Sequence, residues 1–151
     1  MKPTISALLS LVPALSPSSW GLVFALSMAV VLWLVSLRLK DASIVDIFWG
    51  PGIAGVVDIA AFAGHAGGPR TSTVLLLVNL WAIRLAVYIT ARNWDEGEDR
   101  RYQAIRARNQ PNFALKSLYL VFGLQAVLAW VVSLSLLAAL RGSGAWNWLD
   151  S

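Results

Sequence analysis

Between Ser117 and Leu140 the sequence runs SLYLVFGLQAVLAWVVSLSLLAAL, with no charged residue and with Gln125 as its only strongly polar group. The hydrocarbon core of a bilayer is about 30 Å thick and takes roughly 20 helical residues to cross, so this stretch predicts a transmembrane helix. Working back along the chain, Thr73 to Ala91 is another such run, the third in chain order, carrying Asn79 and Arg84. Trp20 to Leu37 is the first, apolar apart from Ser27 and Ser36, with Trp20 and Trp33 placed as interface anchors. The second run, Ile44 to Ala63, holds Asp46 and Asp58 and is interrupted by Gly50-Pro51-Gly52. That interruption reads either as a packing kink or as an unwound stretch whose carbonyls face a cavity. The expected fold is all-α and integral to a membrane, with four transmembrane helices bundled over residues 20–140. A lead-in of residues 1–19 precedes the bundle, and a tail of residues 141–151 with Trp146 and Trp148 follows it.

Composition agrees with that reading. Of 151 residues, 58% are hydrophobic and 13% charged, about half the charged share of a soluble domain, and the mean hydropathy is +0.66. A disordered chain is excluded, and a water-facing surface would need more charge. Without cysteine there is no thiolate ligand or nucleophile, and the single histidine, His65, cannot build a metal site alone. His65 falls in the turn Gly64-His65-Ala66-Gly67-Gly68-Pro69 and is expected to be an exposed loop residue without a role. The net charge of +4 and pI near 10.0 come from basic residues that flank apolar runs, a membrane pattern and not a nucleic-acid one.

Topology follows from where those basic residues fall. Arg38 and Lys40 follow the first run; Arg92, Arg100, Arg101, Arg106, Arg108 and Lys116 follow the third. The opposite side holds Lys2, Arg70 and Arg141. Both termini are therefore expected on the non-cytoplasmic side, of the inner membrane in a bacterial cell. The segment Ile5 to Leu15 is too short to span and is broken by Pro13. It reads as an interfacial lead-in, or as a weak signal-like segment ending at Ala14-Leu15-Ser16.

Ionisable groups inside spans are costly and mark candidate sites. At 1.5 Å per residue, Asp46 lies about 3 Å, Arg84 about 10 Å and Gln125 about 12 Å from the cytoplasmic ends of their spans. Asp46 and Arg84 are expected to pair, with Gln125 able to join. Asp58 and Asn79, about 21 and 18 Å down, are close enough in depth to hydrogen-bond. Either pair has a plainer reading as bundle glue, contributing about 0.6–2 kcal/mol. In the loop after the third run, acids precede bases, the order a helix dipole favours. Glu96 with Arg100 and Glu98 with Arg101 are at helical spacing, and Tyr102 and Ile105 form a short apolar stripe. A short cytoplasmic amphipathic helix between the third and fourth spans is expected, either meeting anionic headgroups or presenting arginines to a phosphate.

Three blocks carry a resemblance: DASIVDIFWGPG at 41–52, LWAIRL at 80–85, and RNW at 92–94 followed by GEDRRY at 97–102. They resemble, in order and spacing, the N-terminal half of an uncharacterised bacterial membrane family. That family is similar to the C-terminal domain of steroid 5-alpha-reductases. The resemblance covers roughly residues 32–140. It implies an NADPH-dependent reductase acting on a C=C bond of a lipid-like substrate, in a cavity open to the bilayer. It implies Arg92, Asn93, Arg100 and Arg101 at the rim of the cofactor site, and Asp46, Trp49 and Arg84 near the substrate cavity. In the wider superfamily the cofactor is gripped chiefly by a later half with an Arg-His-Pro-Asn-Tyr type run. Here His65 is followed by Ala66, and Gly50-Pro51-Gly52 is no Gly-x-Gly-x-x-Gly loop. The expectation is a membrane portion, or fragment, that is inactive until completed by a C-terminal half. The alternatives are a small four-helix transporter using Asp46 or Asp58, or a structural membrane subunit. Against a transporter, the first span is uncharged and no inverted repeat is visible.

Overall fold

The structure is a computed structural model that describes residues 15–94 and 96–140. The expectations for the lead-in up to Ala14 and for the tail with Trp146 and Trp148 lie outside the described residues. The first helix, α1 (Pro17–Leu39), starts where local chemistry asks it to. Ser16 caps it by accepting the Ser19 N–H at 3.2 Å, and Pro17 takes the first position, where its missing N–H costs nothing. Lys40 closes the helix in a left-handed conformation, φ 56°, its N–H returning to the Ser36 carbonyl. Then come α2 (Ile44–Ile47), α3 (Trp49–Ala63) and α4 (Pro69–Asn93). Entry into α4 passes through Gly68 at φ 107°, a conformation open only to glycine in practice. The chain continues through α5 (Arg100–Arg108) and α6 (Phe113–Ser117), a π-helical segment Leu118–Gly123, and α7 (Leu124–Leu140).

Among the described residues three helices are long and apolar enough to cross a membrane: Pro17–Leu39, Pro69–Asn93 and the continuous run Phe113–Leu140. Each extends a few residues beyond the expected apolar bounds. The second expected run, Ile44 to Ala63, is divided. Its main part, α3, has 15 residues, about 22 Å of helix, short of the hydrocarbon thickness on its own.

The division falls at Phe48 and not at Gly50-Pro51-Gly52. Phe48 sits at φ −89°, ψ 3° with its N–H on the Val45 carbonyl at 3.1 Å, which ends α2 and restarts the helix at Trp49. Pro51 then lies in the first turn of α3, where no intrahelical donor is required of it. The glycines serve close packing. A Cβ on Gly50 would fall 2.9 Å from Ala82 Cα and 2.8 Å from its carbonyl oxygen, so α3 and α4 meet backbone to backbone there, as small residues permit. Of the two readings of this motif, packing is the one the structure adopts.

Helix α3 is the centre of the bundle and touches α1, α4 and α7. Val56 and Val57 are fully buried. Small residues on its neighbours, Ala25, Ala29, Ala126 and Ala129, complete the core. The outward faces of α1, α4 and α7 are lined with exposed valine and leucine, the inverse of a soluble protein. At one end of the bundle the Ala42 N–H reaches Glu98, Arg106 reaches the Lys40 carbonyl, and Trp33 Nε1 donates to the Ala114 carbonyl at 2.7 Å. Trp33 is thus spent on tying α1 to α6 and is not a free interface anchor. This basic end gathers the two loops whose arginines and lysines the sequence grouped. At the other end Trp130 Nε1 holds the Ser18 carbonyl at 2.9 Å.

Candidate functional site

At the basic end, four elements contribute one side chain each to a continuous hydrogen-bonded chain. Trp49 of α3 donates through Nε1 to Gln125 Oε1 of α7. Gln125 Nε2 donates to Tyr102 Oη of α5 at 2.8 Å. Tyr102 Oη donates to Asp46 Oδ1 of α2 at 2.6 Å. From the other side Arg101 Nη2 reaches Asp46 Oδ2 at 2.9 Å and is itself held by Asp99. Every donor points toward Asp46, so one carboxylate orders the whole chain. Tyr102 is 5% exposed. Burial and the hydrogen bond to Asp46 push its phenol pKa up, which keeps it a neutral donor at physiological pH.

The expected Asp46–Arg84 pair is not formed. Asp46 is taken by Tyr102 and Arg101, while Arg84 is exposed on the outside of α4. The inward stripe of α4 is Thr71, Val78 and Ala82; Arg84 is two residues past Ala82, roughly 200° round the helix at 100° per residue. Depth permitted the pair and rotation forbade it. Gln125 does join Asp46, through Tyr102. Asn79 Nδ2 donates to Asp58 Oδ1 at 3.0 Å, as the depths suggested. His65 lies in an exposed turn.

The loop pairs also differ from expectation. Asp99 caps α5 by accepting the Arg101 N–H at 2.8 Å, so Glu96 and Glu98 precede the helix and helical spacing does not apply to them. Among the described residues Glu96 and Arg100 form no ion pair. Glu98 turns instead to Arg106, with contacts of 2.7 and 2.9 Å, and accepts the Ala42 N–H at 2.8 Å. Burial would raise the Glu98 pKa, but the Arg106 hydrogen bonds and the Ala42 N–H outweigh it and hold the carboxyl below its ordinary range. Arg106 also covers the Phe113 ring, 4.5 Å from its centroid, a cation–π contact. Tyr102 and Ile105 do pack inward as a stripe. The sequence placed Tyr102 in that stripe and missed its hydroxyl.

Two cavities flank this chain. On the membrane side lies an apolar one of about 40 Å³, lined by Met28, Phe48, Trp49, Phe122 and Gln125 among others. It admits a group of a few atoms and is well below the roughly 300 Å³ at which ligand sites begin. On the basic side a polar cleft of about 760 Å³ is lined by Arg92, Asn93, Glu96, Glu98, Asp99, Arg100 and Arg101. All four residues expected at the cofactor rim therefore meet in one cleft. Trp49 lines the apolar cavity, whereas Asp46 and Arg84 line neither, Asp46 being joined to the cleft through Arg101.

A family model described as a protein of unknown function matches residues 32–151 of the chain. No curated protein and no solved structure matches it.

Proposed function

The chain belongs to the DUF1295 family, and from that premise and the geometry of the basic end we propose that it is the membrane portion of an NADPH-dependent reductase. On this reading the enzyme is of the steroid 5-alpha-reductase type and saturates a C=C bond of a lipid-like substrate, and this portion is inactive by itself. The observation that carries the reading is the convergence of Arg92, Asn93, Arg100 and Arg101 on one cleft, from which Arg101 connects through Asp46 and Tyr102 to Gln125 and Trp49 in the lining of an apolar cavity.

NADPH, when bound, would supply the hydride. Its phosphates would fall to Arg92 and Arg100, which line the cleft and can make the bidentate contacts that are the strong ones for phosphate. Of the three carboxylates in the same lining, Asp99 and Glu98 are paired with Arg101 and Arg106, and Glu96 alone opposes the anion. Arg101 is fixed in place by Asp46 and Asp99. Among the described residues the cleft lining holds no aromatic or aliphatic side chain, so nothing there would clamp a nicotinamide ring against a substrate, as hydride transfer requires. Ring binding is assigned to a second, C-terminal half. Asp46 holds Tyr102, and through Tyr102 and Gln125 the Trp49 indole, which lines the apolar cavity. At about 40 Å³ that cavity would take no more than a small end group of a lipid-like substrate.

On the same reading α2 and α3 together make a fourth span, α5 lies on the cytoplasmic side of a bacterial inner membrane, and both termini are non-cytoplasmic. The gathering of basic residues at one end supports this orientation. A transporter draws less support, because Asp46 is engaged by Tyr102 and Arg101 and Asp58 by Asn79.

The test is an NADPH titration of the detergent-purified chain, followed by nucleotide fluorescence and by consumption with enone lipids. Weak binding that falls at least tenfold in Arg92→Ala/Arg100→Ala, with turnover only after addition of a C-terminal half, is the expected result. Turnover by this chain alone would overturn the half-enzyme reading, and binding indifferent to both arginines would overturn the cleft assignment.

A further inference from the structure

Helix α4 is the least covered of the long helices, with only Thr71, Val78 and Ala82 buried. Its outer face is apolar and open: Leu76, Leu77, Leu80, Ile83 and Val87 are each between 57% and 63% exposed. Arg84 stands in the middle of that face. Together with Trp81, Leu85, Val87 and Tyr88 it lines a groove of about 630 Å³ along the helix. Among the described residues no hydrogen bond or ion pair reaches its guanidinium.

An arginine about 10 Å below the end of an apolar run is costly when it faces lipid, and such residues almost always face protein or a water-filled cavity. Reaching toward the headgroups shortens the gap. Here, however, the residues one turn nearer the basic end on the same face are Val87 and Tyr88, which line the same groove and offer the guanidinium no carboxylate on that path. A second copy of this chain is a poor cover, because a two-fold contact through this face brings Arg84 against its own counterpart. The complement of an exposed cation in an apolar face is an apolar helix with one anion.

We propose that the outer face of α4 is a docking surface for a transmembrane helix of another polypeptide that carries an aspartate or glutamate at the depth of Arg84. The inference needs only that α4 crosses a bilayer and does not depend on the reductase reading.

The absence of cysteine makes the test direct. A single cysteine placed at Ser72, away from the groove, carries a fluorophore for energy transfer in phosphatidylcholine liposomes at pH 8. The probes are two labelled leucine-alanine transmembrane peptides, identical except for Glu or Gln about 10 Å from one end. The expected result is association of the Glu peptide at least tenfold tighter than the Gln peptide, with the difference abolished by Arg84→Leu and partly kept by Arg84→Lys. A bulky Leu80→Trp change should weaken the Glu peptide without touching the charge. Thermal unfolding of each variant separates loss of docking from loss of fold. Equal association of the two peptides, or a difference that survives Arg84→Leu in a folded protein, would overturn the proposal. So would transfer between two labelled copies of this chain that exceeds transfer to the peptide. Displacement of the Glu peptide by phosphatidylglycerol would assign Arg84 to a lipid phosphate and equally overturn it.

Discussion

The Tyr102 hydroxyl donates to Asp46 Oδ1 at 2.6 Å across 56 residues of sequence, joining the loop after the third apolar run to the start of the second. Tyr102 is also the acceptor for Gln125, so its oxygen is the node on which α2, α5 and α7 meet.

Replacing that node should be felt in stability. Tyr102→Phe leaves Gln125 a donor short of its acceptor and Asp46 short of a donor, in a buried setting where an unsatisfied group costs about 1–3 kcal/mol. Arg101→Ala removes a partner from the same carboxylate, but the Arg101 side chain is 66% exposed and the loss should be under about 1 kcal/mol. Thermal unfolding in detergent should rank the two variants in that order.

Coupling should follow the observed partners. Asp46→Asn and Tyr102→Phe share a hydrogen bond, so their combined effect should differ from the sum by more than about 0.5 kcal/mol. Asp46→Asn and Arg84→Ala should be additive within that margin, since the two side chains do not meet. A double-mutant cycle on each pair checks both statements; coupling between Asp46 and Arg84 would contradict the orientation of α4.

The two glycines around Pro51 should respond in opposite ways. Gly50→Ala places a methyl 2.8 Å from the Ala82 carbonyl oxygen and 2.9 Å from Ala82 Cα. Backbone cannot step aside as a side chain can, so overpacking of about 1–3 kcal/mol is expected. A Cβ on Gly52 meets nothing within 4 Å, and Gly52→Ala should be neutral or stabilising by up to about 1 kcal/mol through helix propensity. Melting temperatures of the pair in one detergent are sufficient.

Acid should loosen the basic end through Glu98. Its folded pKa is held below the ordinary 4.5 by Arg106 and the Ala42 N–H. A depressed carboxyl stabilises the fold fully above its unfolded pKa and loses that contribution as pH falls through the folded one. Stability of the wild type should therefore decline as pH drops below about 4.5, the value an unfolded glutamate takes. Glu98→Gln should be less stable at neutral pH and flatter across that window, as read by denaturation at a series of pH values.

Much of the fold was legible in the residues. The apolar runs marked all three long helices to within four residues at either end, although the cap at Ser16 was not among the features read. Depth counting brought Asp58 to Asn79. The residues alone left the loop 92–108 open between a headgroup-facing helix and a phosphate site, and the four residues that the resemblance places at a cofactor rim do share a cleft. Other features were not legible. The break in the second run was placed on the helix-breaking residues, whereas Pro51 and Gly50 sit inside the first turn of α3. Glu98 was assigned to Arg101 on the assumption that a helix already ran through it.

What the sequence determined by itself is everything counted along one helix axis: length against the bilayer, depth of each polar group at about 1.5 Å per residue, and the basic end. What only the tertiary structure decided is rotation about those axes. In a soluble helix the polar face announces which side is out. In an apolar span both faces are greasy, so nothing in the residues of α4 tells that Ala82 faces α3 and Arg84 faces away. That choice is made by the backbone contact between Gly50 and Ala82, and it is this contact that leaves Asp46 to Tyr102.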